Sequence, residues 1–154
     1  MIAVIQRVKE TALTANGVPY SEISHGFFVL LGVIAGDDET DVRLLADKIV
    51  KLRVFSDENG KMNLSVRDVG GQVMVVSNFT LAANYRHGNR PDFLRAAPPD
   101  DAEWLYGLFI DLVREGGVST VSGVFGADML IQTTADGPVT IVMDSTVLRK
   151  EPRQ

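Results

Sequence analysis

The sequence predicts an α+β domain on three observations: strand-like runs outnumber helical ones, Asn16-Gly17 marks a tight hairpin, and two segments carry apolar residues at helical spacing. Residues 2–8 alternate as a strand, with Ile2, Val4, Gln6 and Val8 on one side and Ala3, Ile5 and Arg7 on the other. Arg7 thus shares a face with apolar neighbours, and the company of Ala3 and Ile5 speaks somewhat against an ordinary edge-strand arginine. Asn16-Gly17 favours a two-residue turn because both central positions of that turn need positive φ. Phe27 to Ile34 is a continuous apolar run with no polar face, which predicts a strand covered on both sides.

From Asp38 to Leu52, the residues Val42, Leu45, Ile49 and Leu52 recur at helical spacing, and Asp37 or Asp38 can cap the first turn. Asp57-Glu58-Asn59-Gly60 and Gly70-Gly71 punctuate the next section, and Gln72 to Ser77 reads as a second buried strand. Pro98-Pro99-Asp100-Asp101 opens a second helix with Trp104, Leu105, Leu108, Phe109, Leu112 and Val113 on one face, and Gly116-Gly117 stops it. Val118 to Ser122, Ala127 to Thr133 and Val139 to Met143 read as strands joined by Gly and Asp turns. Hairpins imply antiparallel pairing. The expected architecture is thus a single domain over residues 1–148, a mainly antiparallel or barrel-like sheet with two flanking helices, followed by a basic tail over 149–154 that should fray.

With 154 residues, 45% of them hydrophobic, the chain can bury one core and is too short to favour two. No apolar run approaches the roughly 20 residues of a membrane-spanning helix. No basic region precedes the apolar stretch that begins at Met1, so the expected location is cytoplasmic. There is no Cys, and His25 and His87 are the only imidazoles, so a zinc hydrolase is disfavoured and neither metal nor organic cofactor is expected. A net charge of −5 argues against a protein that grips long stretches of phosphate backbone. Contact with nucleic acid should be small and local. Arg86, His87, Arg90 and Arg95 form the one basic cluster with little acid interleaved, and it reads as a solvated loop or as such a local contact.

Two stretches carry chemistry. Ser77-Asn78-Phe79-Thr80-Leu81 follows a buried strand; where ladder pairing stops, the Phe79 and Thr80 N–H groups can face a reacting carbonyl, with the Ser77 and Thr80 hydroxyls as further handles. The bland alternative is a strand end whose Ser and Thr cap local backbone. Thr80 has no base within the motif, so it reads as a positioning group rather than a nucleophile. Asp136-Gly137-Pro138-Val139-Thr140 is ordinary turn chemistry taken alone.

Taken in order, Gln6-Arg7-Val8, Gly60-Lys61-Met62-Asn63-Leu64, the 77–81 stretch, Gly88-Asn89-Arg90-Pro91, Phe125-Gly126-Ala127-Asp128-Met129 and the 136–140 stretch resemble the D-aminoacyl-tRNA deacylases over nearly the whole chain up to about Ser145. The resemblance implies a homodimer without cofactors that hydrolyses the ester between a D-amino acid, or glycine, and the tRNA 3′ end, thereby proofreading chirality. It implies substrate-assisted hydrolysis at Ser77, Asn78, Phe79 and Thr80, with the 2′-hydroxyl of the terminal ribose taking part. It also implies a cis Gly137-Pro138 bond whose carbonyl oxygens enter the partner subunit's site and crowd an L side chain. Arg7 would brace that motif, and Phe125 and Met129 would line the pocket for the terminal adenosine. Asn78 stands where the family usually has Gln, and Ala135 where Asn commonly precedes the turn. The rival expectations are a non-catalytic module that binds an RNA 3′ end or a nucleotide, and a related deacylase tolerant of L-aminoacyl-tRNA.

Overall fold

A computed structural model describes residues 1–149. Its organising strand, β1 (Ile2–Ala15), runs well beyond the expected 2–8. β2 (Val18–Ile23) returns antiparallel through Asn16 and Gly17, whose φ values of 49° and 79° are those the expected turn requires. β3 (Gly26–Gly32) pairs antiparallel with the first half of β1, Ile2 opposite Gly32 and Arg7 opposite Phe27. The chain then crosses through α1 (Glu39–Lys51) and a small hairpin of β4 (Phe55–Ser56) and β5 (Met62–Leu64) into β6 (Gln72–Ser77), parallel to β3. A second crossover, through a 3₁₀ turn (Phe79–Ala82) and α2 (Pro99–Glu115), leads to β7 (Ser119–Ser122), parallel to β6. β8 (Met129–Asp144) runs antiparallel along the other side of β1, and α3 (Ser145–Leu148) follows.

Antiparallel pairing holds for every partner of β1 and gives way to parallel pairing between β3 and β6 and between β6 and β7. Parallel neighbours need long crossovers, which α1 and α2 supply, and their strands are buried on both faces, as the apolar runs at 27–34 and 72–77 already indicate. The sheet curls until Ser21 Oγ of β2 donates to the Ser122 carbonyl of β7 at 2.9 Å, so the mostly antiparallel sheet is nearly closed into a barrel. The third helix is a single turn capped by Asp144, too short to leave a periodic signal.

Alternation along the parallel strands divides the core. Phe27, Val29, Leu31, Val73 and Val75 face the helices and meet Leu45, Ile49 and Phe109, whereas Phe28, Met74 and Val76 point into the barrel with Val8, Leu13 and Ile23. Burying each such side chain contributes about 1.5–3 kcal/mol. β6 is thereby clamped from both faces, which fixes where its last residue, Ser77, is presented.

The start of α1 is held twice. Thr40 N donates to Asp38 Oδ1 at 2.8 Å while Asp38 N donates to Asp41 Oδ2 at 2.9 Å, a reciprocal capping box. The other end of the chain closes on it. Arg149 donates to Asp38 at 2.8 Å and also to Asp41, Ser145 Oγ donates to Asp41 at 2.7 Å, and the Met1 ammonium donates to Asp37 at 2.7 Å and Ser145 Oγ at 2.8 Å. Burial would raise the Asp41 carboxyl, but the Arg149 guanidinium, the Asp38 N–H and the Ser145 hydroxyl outweigh it and hold the group well below the usual carboxylate range. Arg149, the first residue of the expected tail, is thus paired with the start of α1, and residues 150–154 lie outside the described residues.

Candidate functional site

β6 ends where its ladder with β3 ends, at the Leu31–Ser77 pair, and the Asn78 N–H still donates to the Leu31 carbonyl at 2.9 Å before the chain turns. Asn78 is the N-cap of the 3₁₀ turn: its Oδ1 accepts the Thr80 N–H at 3.2 Å and also the Thr80 hydroxyl. Gly32 lets this turn lie against β3, because a Cβ there would come within 2.8 Å of the Leu81 Cβ. One expectation is corrected here. The Thr80 N–H is not a free donor, since the short amide of Asn78 closes on it. The Phe79 N–H, first in the turn, has no acceptor among the described residues and is open to an incoming acceptor.

Ser77, Asn78 and Phe79 open onto a cavity of about 750 Å³. Phe125 and Met129, nearly fifty residues away in sequence, form its facing wall together with Gly126 and Ala127. The Phe79 ring meets Phe93 edge-on at 5.1 Å. Phe125 lies 5.9 Å from the Tyr106 ring, and the Tyr106 hydroxyl donates to the Val75 carbonyl at 2.8 Å, which ties that wall to β6. Burial pushes the Tyr106 hydroxyl up to about 12, so it remains a donor at neutral pH. A third wall was not expected from the sequence: Phe93, Leu94 and the Pro98-Pro99 entry to α2. Two apolar residues in an otherwise polar stretch were its only signal. Thr80 does not line the cavity, and its side chain is exposed.

Among the described residues lining the cavity, none carries an ionisable side chain. The site can hold a flat apolar ring and polarise a carbonyl through a backbone amide. It offers no side chain to act as general acid or base.

Gly137 and Pro138 do not form a turn between two separate strands, the reading their sequence suggests, because β8 passes through them without reversing. The register with β1 jumps from Gln6–Thr140 to Val8–Ala135, so residues 136–139 bulge out opposite Arg7 alone. The Gly137-Pro138 bond is cis. Arg7 Nε donates to the Asp136 carbonyl at 3.3 Å and lies 3.2 Å from its carboxylate, while Nη1 donates to the Val54 carbonyl at 2.6 Å. Lys9 approaches the same carboxylate at 3.5 Å. Arg7 thus ties the bulge to the segment entering β4, and Val54 has no sequence signal because it acts through its backbone.

The bulge and the cavity lie apart in one chain. Arg7 sits opposite Phe27 and Ser77 opposite Leu31, four residues on, and β8, β1, β3 and β6 are successive neighbours. At about 3.3 Å per residue and 4.8 Å per strand, the two groups are about 20 Å apart.

The sequence pattern of the D-Tyr-tRNA(Tyr) deacylase family matches residues 4–144. A protein of Geobacter metallireducens named D-aminoacyl-tRNA deacylase is 51% identical over 145 residues, covering 94% of this chain and 96% of the relative. One of the same name from Geobacter sulfurreducens is 50% identical, covering 94% and 95%. Among solved structures, one titled c-Myc DNA Unwinding Element Binding Protein superposes with a TM-score of 0.87 at 38% identity, over 94% of this chain and 98% of that one. A probable eukaryotic D-amino acid tRNA deacylase, at 18% identity and a TM-score of 0.79 over 92% and 97%, shares the fold. With a match this long and relatives this similar, the chain belongs to the D-Tyr-tRNA(Tyr) deacylase family.

Proposed function

We propose that this chain hydrolyses the ester joining a D-amino acid, or glycine, to the 3′ end of tRNA, a chiral proofreading step in translation, without metal or organic cofactor. The observation that carries the reading is a roomy apolar cavity lined by Phe79, whose backbone amide has no acceptor among the described residues, with no ionisable side chain among the described residues that line it. The terminal adenosine enters between Phe79 and Phe93 on one side and Phe125 and Met129 on the other. The ester carbonyl oxygen then meets the Phe79 N–H. When water adds to the carbonyl carbon, that amide stabilises the oxyanion, and a donor so placed lowers the barrier by about 2.7–4 kcal/mol. The substrate's own 2′-hydroxyl orients the water, the carbon–oxygen bond to the ribose breaks, and the ribose oxygen leaves with a proton. Asn78 and Thr80 shape the turn through their mutual hydrogen bonds, and Ser77 positions the substrate.

Chiral selection is assigned to a second copy of the chain. The bulge at Gly137-Pro138 lies on β8, whose outer edge has no partner among the described residues, about 20 Å from its own cavity by strand spacing. Reciprocal docking across a two-fold axis brings each bulge to the other cavity. There its carbonyl oxygens crowd an L side chain, spare a D side chain that points elsewhere, and ignore glycine. A substrate made and used in translation is the reason to expect the enzyme in the cytoplasm. No helix among the described residues is long and apolar enough to cross a membrane.

The test is hydrolysis of a matched series at one enzyme concentration. D-Tyr-tRNA should be cleaved fast and Gly-tRNA measurably, with L-Tyr-tRNA and L-Ala-tRNA untouched, and light scattering at micromolar concentration should give a dimer. Cleavage of none of them leaves a binding module, and efficient cleavage of L-Ala-tRNA ends the exclusion argument.

A further inference from the structure

Between the 3₁₀ turn and α2 the chain makes a loop that neither the cavity nor the chiral bulge uses. Its base is pinned: Asn84 and Asp92 exchange both backbone hydrogen bonds, at 2.9 and 3.0 Å, and Asn84 Nδ2 donates to Asp92 Oδ2 at 2.8 Å. The Asp92 Oδ1 accepts the Leu94 N–H at 3.2 Å, and the Asn84 Oδ1 accepts the Arg86 N–H at 3.3 Å. The one acid of this stretch is therefore occupied with holding the loop's own base. Residues 85–91 stand out from it in solvent, carrying Arg86, His87 and Arg90. Among the described residues no carboxylate pairs with any of these three. Arg95, which sequence proximity groups with them, lines a separate polar hollow with Asp37 and Asp144.

Position gives the cluster its meaning. The residue after the pinned base, Phe93, and its neighbour Leu94 are a wall of the cavity, so the base of the cationic loop adjoins that wall. Tyr85, 79% exposed at the start of the loop, offers a ring face beside the cations. Unpaired cations next to an exposed aromatic are what a single-stranded polynucleotide needs, phosphates on the cations and a base on the ring. On a chain of net charge −5, a small basic outcrop of this kind can hold a few phosphates and no more.

Resting on the tRNA reading above, we infer that the 84–92 loop is a phosphate clamp: Arg86 and Arg90, with His87, grip the backbone of the 3′ strand just inward of the terminal nucleotide as it leaves the cavity. The clamp acts on the RNA body and not on the ester. Its loss should weaken binding of tRNA while leaving the chemistry on a substrate without that strand unchanged.

The experiment compares the wild-type protein with Arg86→Gln/Arg90→Gln, both sites being exposed. Binding of uncharged tRNA is followed by fluorescence anisotropy over a salt series, and hydrolysis is followed on D-Tyr-tRNA and on the D-tyrosyl ester of adenosine. The variant should bind tRNA about tenfold or more weakly at low salt, with the slope of log K against log salt reduced by about 1.4–1.8, the loss of two phosphate contacts. KM for D-Tyr-tRNA should rise with kcat little changed, and the adenosine ester should be cleaved at the wild-type rate. An unchanged salt slope overturns the inference. So does an equal loss on both substrates, or a variant that scatters light as a monomer, which would make the loop a subunit contact. A wild-type protein that cleaves neither ester yet binds tRNA through Arg86 and Arg90 would sink the hydrolytic reading and leave the clamp standing.

Discussion

Arg7→Ala tests whether the bulge at Gly137-Pro138 is a rigid device or incidental loop geometry. The Arg7 side chain is 13% exposed and makes three polar contacts, to the Val54 carbonyl, the Asp136 carbonyl and the Asp136 carboxylate. Hydrogen bonds from a charged donor contribute about 1.5–3 kcal/mol each. The Asp136 carboxylate is 28% exposed and keeps Lys9 nearby, so its share is small and the total loss is about 2–4 kcal/mol. Because the register skips residues 136–139, no ladder pairing substitutes for Arg7, and the loosening falls on the bulge. If about 1.4 kcal/mol of that total appears as lost exclusion of the L substrate, the ratio of D to L rates falls about tenfold. Arg7→Lys should lie between, because one ammonium can reach the Val54 carbonyl or Asp136 but cannot fork between them. Single-turnover hydrolysis of D-Tyr-tRNA and L-Tyr-tRNA reads the ratio, and urea unfolding at fixed protein concentration reads the stability. A destabilised Arg7→Ala with an unchanged D-to-L ratio would refute the reasoning, leaving Arg7 a support of the fold alone.

Thr80→Ala should slow deacylation without abolishing it, since the proposed chemistry rests on the Phe79 amide; complete loss in single-turnover assays, with fold and tRNA binding intact, would make Thr80 the nucleophile. Asn78→Gln should lose about 1 kcal/mol of cap stability, because the longer amide cannot close the two-residue ring onto Thr80 N. If the freed Thr80 N–H can turn toward the cavity as a second oxyanion donor, turnover of D-Tyr-tRNA should rise; a fall would show that the cap is what aims the Phe79 amide. Asp41 has its carboxyl held below the ordinary 3.8, so its contribution to stability is present above about pH 4 and is lost as pH falls, when the unfolded chain takes up the proton more readily. Asp41→Asn should cost about 2 kcal/mol at pH 7 and flatten the acid limb of the unfolding midpoint measured from pH 7 to pH 3.

By itself the sequence determined what depends on neighbours along the chain. Asp38 and Gly116-Gly117 bound their helices, Asn16-Gly17 turns its hairpin, and the unbroken apolar runs at 27–34 and 72–77 mark doubly covered strands, because capping, turn dihedrals and side-chain period are local properties. The motif at 77–81 was legible as a strand end, and the family resemblance grouped it with Phe125, Met129, Arg7 and Gly137-Pro138. Tertiary structure alone decided the rest. Whether β6 runs parallel to β3 depends on what the crossover helix covers, not on the residues of β6. Whether the Thr80 N–H is free depends on how the turn is pressed against Gly32, and the third wall of the cavity on where α2 begins relative to Phe93. The distance from Gly137 to Ser77 is set by strand order and register, which join residues remote in sequence, and that distance is the physical reason the proposed chiral selection is assigned to a second copy of the chain.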